Sequence, residues 1–212
     1  MSDSTSICTR ELSPEALSVC RAAMHWHRSV GRRLALQFLF AFDSRGDWEN
    51  PGEAYRDFRE LISEEEPIGS FSDVARGKKA VEFSDETAEF EPWDYADAII
   101  RGVCSQRQEL DSLIISAVKN WTIERMSRID RNLLRIAAWE MRSQINRQDA
   151  PSEKEATTIA ALKDAAISPA VSINEAIELG KLYGKGDSGR FINGVLDRIR
   201  QDLIGAVSAP EA

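Results

Sequence analysis

Three glycines, Gly184, Gly186 and Gly189, have the spacing of a dinucleotide-binding loop. Such a loop works only after a β-strand, because the sheet edge and the next helix together direct backbone amides at the pyrophosphate. Here the glycines follow the helical sequence "SINEAIELGKLY", and the lysine between them is not followed by Ser or Thr, as a P-loop requires. The glycines therefore predict a turn between two helices rather than a cofactor site.

The predicted turn could still bind an anion or a base at the start of the following helix. Asp187 or Ser188 is expected to cap the following helix. Exposed amides at a helix start, beside Lys185 and Arg190, would attract an anion. Phe191 would either stack on a base or contact the core, and its helical spacing favours the core.

Few residues have the types and spacing that catalysis needs. His25 and His27 are the only histidines, and at positions i and i+2 of a helix they point apart, which argues against a shared metal ion. A Cys20–His25 nucleophile pair lacks a third group to orient the imidazole. The sequence therefore predicts a protein that is not an enzyme, without catalytic residues, a metal or a cofactor.

Charge is unevenly distributed along the chain. The formal net charge is −8, but residues 43–91 contain fifteen acidic and six basic side chains. The remainder contains two basic clusters, one of Arg21, Arg28, Arg32 and Arg33, the other within residues 119–147. Local basic surface attracts phosphate regardless of net charge, although solvated helix faces explain such clusters equally well.

Size and composition define the class. The 212 residues, 42% of them apolar, suffice for one domain with its own core. The longest apolar run, "LALQFLFAF" at residues 34–42, is too short for a membrane span and lacks a signal cleavage site, so a buried helix is expected. Three widely spaced cysteines favour a reducing cytoplasm.

Apolar spacing predicts helices throughout the chain and no convincing strand, so the fold class is all-α. Ser13 is expected to cap a first helix, and Gly31 to separate it from a second helix over residues 32–43. A short amphipathic helix is expected around Tyr55, followed by a loop to about residue 91. Residues 93–120 regain strong helical spacing.

Two capping boxes are predicted in the second half of the chain. Ser127 lies three residues before Asp130, and Ser172 lies three residues before Glu175. The helix after Ser127 is apolar on two sides, which is typical of a helix packed between neighbours.

The segments "NWTIERMSRIDRNLLRIAAWEM" and "SINEAIELGKLYGKGDSGRFINGVLDRI" closely resemble the NusB family of bacterial transcription antitermination factors. "RRLALQFLFAFD" resembles the first helix of the family, and "YADAIIRGVCSQRQELDSLI" a middle helix. The resemblance implies a compact all-α fold of two packed helical bundles. It divides the chain into an N-terminal extension (1–27), a NusB-like domain (28–205) with inserts at about 44–91 and 146–170, and a C-terminal tail (206–212).

The resemblance also implies a function. Family members bind the boxA element of nascent ribosomal RNA transcripts together with the ribosomal protein NusE, in a complex that keeps RNA polymerase from terminating prematurely. Neither a membrane nor a small-molecule substrate is implied. Transferred residue by residue, the RNA contacts would be Arg28, Arg32, Arg33, Gln37, Asp187, Ser188, Arg190, Phe191 and Asn193. The NusE-facing surface would include Glu124 and Asp130.

Two alternatives remain open at the level of sequence. Similar domains precede the catalytic domain of ribosomal RNA methyltransferases, which would require a further Rossmann-like domain after Ala212. Alternatively, the inserts alter the RNA surface and the protein has a structural or RNA-processing role.

Overall fold

The computed structural model describes residues 11–46, 48, 51–65, 91–118, 121–145, 156–157 and 165–208. Residues 1–10 of the N-terminal extension, the predicted loop over 66–90 and most of the insert at 146–170 lie outside these residues. The described helices are α1 (Pro14–Arg45), α2 (Pro51–Glu65), α3 (Pro92–Ser105), α4 (Arg107–Ala117), a 3-10 turn (Ile123–Arg125), α5 (Arg128–Ile145), α6 (Pro169–Tyr183) and α7 (Ser188–Ser208). The described ranges contain no β-strand, and the all-α prediction is confirmed.

Helix α1 begins as predicted but does not break. The hydroxyl of Ser13 accepts a hydrogen bond from the Ala16 amide at 3.2 Å, and the helix ends at Gly46 with φ of 73°. The predicted break at Gly31 is wrong, because α3 crosses there instead. A Cβ on Gly31 would lie 2.8 Å from the Pro92 carbonyl oxygen, so only glycine permits this close approach. The proposed boundary between residues 27 and 28 therefore lies within one continuous helix.

Helix α5 is the centre of the fold. It contacts α1 and α3 on one side and α4, α6 and α7 on the other, which gives two packed groups of helices that share α5. Its apolar residues are buried on both sides, as its sequence predicted; they are Leu133, Leu134, Ile136, Ala137, Ala138 and Met141. Gly102 of α3 leaves room for the indole of Trp139, which a Cβ would overlap.

Two other boundaries differ from the predictions. The helical stretch after residue 93 is divided at Gln106, where φ is −112°, into α3 and α4. Helix α6 begins at Pro169 with Ser168 as its cap, one turn before the predicted capping box. Ser172 is consequently buried inside the helix. At the other predicted box the cap itself is present, since the Ser127 hydroxyl accepts from the Asp130 amide at 3.1 Å, but Oδ1 of Asp130 has no hydrogen-bond partner among the described residues.

The N-terminal extension and the second insert pack on one another. Cys20, Ala23 and Met24 of α1 form a buried cluster with Ala156 of the insert, which we call the extension–insert cluster. Backbone and side-chain hydrogen bonds reinforce it: the Leu12 amide donates to the Thr157 carbonyl at 3.0 Å, and Arg21 donates to the Ala156 carbonyl at 3.2 Å. The start of α1 and the segment around Ala156 therefore form one packed unit.

No helix in the described part of the chain combines the length and the apolar character needed to cross a bilayer.

Candidate nucleic-acid interface

The loop between α6 and α7 is held by Ser188. Its hydroxyl accepts from the Lys185 amide at 2.9 Å, and its own amide donates to the Lys185 carbonyl at 2.8 Å. Ser188 is buried as a result, and a Cβ on Gly184 would collide with its side chain. The predicted helix-to-helix turn is therefore confirmed, and Ser188 shapes the loop rather than facing solvent.

The other two glycines of the motif have separate roles. Gly189 lies against α6, where a Cβ would be 3.2 Å from Cγ of Lys181. Gly180 of α6 meets α7 in the same way, since a Cβ there would be 2.5 Å from Cδ1 of Ile192. Gly186 has open space around it. These close contacts fix the start of α7 on the end of α6.

Five of the predicted RNA contacts are at the start of α7 and in the turn before it, and one of them is the buried Ser188. Asp187, Arg190 and Asn193 are exposed, and so is Lys185 beside them. Phe191 is half-buried and packs against the core, as its helical spacing favoured. The loop thus presents two cations, a carboxylate and an amide on one short stretch of surface.

Two large apolar residues of this region are exposed and are not among the predicted RNA contacts. Leu182 and Tyr183, in the last turn of α6, are 51% and 37% exposed. The sequence could have indicated the exposure of Tyr183. An aromatic residue in the last turn of a helix, before a glycine-rich loop, has few core residues within reach.

The arginines of α1 are differently placed. Arg32 is only 2% exposed, and its Nε donates to both carboxylate oxygens of Glu140, at 2.8 and 3.1 Å. A terminal nitrogen lies 3.5 Å from Glu175 of α6, and the Tyr95 hydroxyl donates to Glu140. The prediction that Arg32 contacts RNA is therefore corrected: buried among these groups, it holds α1, α3, α5 and α6 together.

Charge interactions within this cluster favour its ionised state. Burial alone would lower the pKa of Arg32, but Glu140, Tyr95 and Glu175 raise it above its ordinary value. Burial, and then the charge of Glu140, raise the pKa of Tyr95 well above its usual range. Arg32 is therefore a permanent cation and Tyr95 a neutral hydrogen-bond donor.

The remaining predicted residues of α1 are more accessible. Arg28 is half-buried, and it donates to the Ala165 carbonyl of the insert at 3.4 Å. Arg33 is half-buried and Gln37 is exposed. Helix α6 connects this cluster to the loop: Glu175, which contacts Arg32, precedes Leu182 by about 10 Å along the helix axis.

The two residues predicted to face NusE differ in exposure. Glu124, in the 3-10 turn, is fully exposed, and hydrogen bonds from its own backbone amide and from Thr122 lower the pKa of its carboxyl group. Asp130, in the first turn of α5, is nearly buried, and its Oδ1 finds no hydrogen-bond partner among the described residues. Trp121 is exposed beside them, with the Arg125 guanidinium 5.0 Å from its ring centre.

Part of the second basic cluster is also internal. Arg131 of α5 lies 2.5 Å from Asp43 of α1, and Arg135 donates to both carboxylate oxygens of Asp111, at 2.7 and 2.9 Å. Arg125 and Arg128 are exposed. The basic surface expected from residues 119–147 is therefore smaller than the sequence count indicates.

The described residues contain no group of three or more His, Cys, Asp and Glu side chains that could hold a metal ion.

The fold and this surface define a class of all-α proteins in which two groups of helices share a central helix and present a polar loop between the last two. The NusB family model matches residues 29–164 and 156–201, and the chain belongs to this family. It is 35% identical over 176 residues to the transcription antitermination protein NusB of Sorangium cellulosum, covering 83% of this chain and 93% of that protein. The NusB of Geobacter sulfurreducens gives the same identity and covers 95% of its own length.

Two solved structures share the fold. One, of the antitermination factors NusB and NusE in complex with double-stranded RNA, is 23% identical, with a TM-score of 0.53 over 83% of this chain and 97% of its own. The other, described as a plectonemic RNA supercoil, is 24% identical, with a TM-score of 0.55 over 86% and 99%. At these identities the likeness concerns the fold alone.

Proposed function

We propose that this protein is a transcription antitermination factor that binds boxA-type RNA of nascent ribosomal transcripts in the cytoplasm. It acts with the ribosomal protein NusE to suppress premature termination by RNA polymerase. Membership of the NusB family, whose curated relatives are named transcription antitermination proteins rather than enzymes, supports this proposal.

The observation that carries the proposal is the exposed α6–α7 loop. Lys185 and Arg190 offer cations for phosphate oxygens, which fix the position of an RNA strand. Asp187 and Asn193 offer an acceptor and an amide for the edges of unpaired bases. Single-stranded RNA is recognised by this combination of charge and base-edge contacts.

The other predicted RNA-binding and NusE-facing residues are assigned a role by how exposed their side chains are. Arg28, Arg33 and Gln37 of α1 complete the RNA surface, and Phe191 contributes the part of its ring that the core leaves uncovered. Ser188 and Arg32 support this surface from within. Glu124 and Asp130 belong to the NusE-facing surface, with Glu124 as its exposed carboxylate.

A binding titration tests the proposal. Labelled boxA-type RNA, with a scrambled RNA of equal length as the control, is titrated with the protein over a series of salt concentrations, with and without NusE. We expect binding that strengthens with NusE and weakens with salt. Arg190→Ala should weaken it, whereas Arg198→Ala, which removes another exposed arginine of α7, should not. Equal affinity for both RNAs would contradict specific recognition.

A second function is favoured by one contact. The insert accepts a hydrogen bond from Arg28 through the Ala165 carbonyl, so an addition to the family fold occupies a predicted RNA contact. In that case the protein has a structural or RNA-processing role with an altered RNA surface. Absence of boxA binding by folded protein, with or without NusE, would favour this alternative.

A further inference from the structure

Tyr183 is an exposed aromatic residue whose position neither the family resemblance nor the core explains. It occupies the last position of α6, where 37% of its surface remains accessible. The residue lies three positions after Gly180, so it shares the face of α6 on which Gly180 meets Ile192 and the Gly189 amide of α7. Tyr183 therefore lies next to the start of α7.

Two exposed cations lie close to this position in the sequence. Lys185 follows two residues later, within about 7 Å of chain, and Arg190 is exposed in the first turn of α7. A planar ring beside two exposed cations suits single-stranded nucleic acid, since the ring stacks on a base while the cations contact flanking phosphates. An apolar protein partner would not use the two cations.

Phe191 is a weaker candidate for stacking. It is half-buried and packs against the same core as Ile192 and Leu133, so part of its ring is already in contact with protein. A base needs an accessible ring face, and Tyr183 leaves more of its ring uncovered.

We propose that Tyr183 is the base-stacking residue of the α6–α7 loop, binding one unpaired base of an RNA strand whose phosphates contact Lys185 and Arg190. This inference rests on the proposed RNA-binding function. It names a residue that fixes the position of the bound RNA strand.

Three variants test the inference by RNA titration at several salt concentrations. Tyr183→Ala removes the ring, Tyr183→Phe keeps it, and Leu182→Ala is the matched control that removes a neighbouring exposed apolar side chain. We expect Tyr183→Ala to weaken binding by roughly 5- to 140-fold, the range that base–aromatic stacking gives. Tyr183→Phe and Leu182→Ala should stay within about twofold of the wild type, because each keeps the ring.

The salt dependence separates stacking from charge. Stacking releases no counterions, so Tyr183→Ala should leave the slope of log affinity against log salt unchanged, whereas Arg190→Ala should reduce it. Thermal unfolding of each variant confirms that the fold is intact. A probe series with single abasic positions should contain one oligonucleotide that binds wild type and Tyr183→Ala equally.

Each failure has its own meaning. Unchanged affinity of Tyr183→Ala, with wild-type binding intact, overturns the stacking role and leaves the proposed function standing. An equal loss in Tyr183→Phe also overturns it, since the hydroxyl group rather than the ring would then matter. Absence of RNA binding by the wild type removes both proposals.

Discussion

The two basic segments of the predicted RNA surface differ in what their cations face. On α1, Arg32 is enclosed by Glu140, Glu175 and Tyr95 and has almost no contact with solvent. In the α6–α7 loop, Lys185 and Arg190 are exposed. A paired, buried cation contributes little to the external field, whereas an exposed one attracts phosphate. The same residue types therefore stabilise the fold in one segment and are available to a ligand in the other.

The largest effect is expected from Arg32→Ala. It leaves the carboxylate of Glu140 buried without its partner, which typically costs about 3–5 kcal/mol of unfolding free energy. Denaturant unfolding measures this change. The double variant Arg32→Met with Glu140→Leu should lose less than Arg32→Ala, because the charge left without Arg32 is then the partly exposed Glu175 rather than the buried Glu140. A loss below about 1 kcal/mol in Arg32→Ala would show that the pair is not the internal support described above.

A smaller loss of stability is expected from Phe191→Ala in the loop segment. The ring is half-buried against the core, so we expect about 1–2 kcal/mol, below the range for a fully buried phenylalanine. Tyr183→Ala, which removes a more exposed residue that is not among the side chains packed against the core, is the comparison and should cost less unfolding free energy than Phe191→Ala. Equal losses in the two variants would contradict the difference in packing between these rings.

Removal of the loop cations should change binding without changing stability. In the double variant Lys185→Ala with Arg190→Ala, the salt slope for single-stranded RNA should fall by about 1.4 if both side chains contact phosphates. The unfolding free energy should stay within about 0.5 kcal/mol of the wild type, since both side chains are exposed. An unchanged slope would exclude these cations from the RNA surface.

The last expected effect concerns pH and α1; because His27 is only half-buried, solvent screening makes the change in unfolding free energy smaller than the shift in its pKa alone would give. Burial lowers the pKa of His27 to about 4, from about 6.5 in the unfolded chain. Folding therefore favours the neutral imidazole of His27. The contribution of this imidazole to the unfolding free energy is complete above pH 6.5 and is lost as the pH falls towards 4. His27→Gln should remove this component from unfolding measurements between pH 7 and pH 4.5. His25→Gln, at an exposed position of the same helix, is the matched control.

Local features were predictable from the sequence. The helices follow from apolar spacing, and the cap at Ser127 depends on an amide only three residues away. The start of α6 was missed although Ser168 and Pro169 form a strong helix-start signal, because the Ser172–Glu175 pattern also matches one.

The burial of Arg32 was not predictable in this way. Its partner Glu140 is 108 positions away in the chain, so no local pattern connects them. Gly31 was misjudged for the same reason, since its role depends on Pro92 of another helix. Exposure of the α6–α7 loop could be predicted, whereas the pairing of the α1 arginines required the packed structure.

The continuity of α1 has a consequence for the stability of its first half. At 32 residues the helix is about 48 Å long, and its first half lies outside the segment that resembles the family. Lengthening an existing helix adds one hydrogen bond per residue and requires no new nucleus, which is the unfavourable step in helix formation. The added turns need only a cover for their apolar side, and Ala156 of the insert contributes to it. The start of α1 and the segment around Ala156 are thus coupled, and removal of either would expose the apolar side of the other.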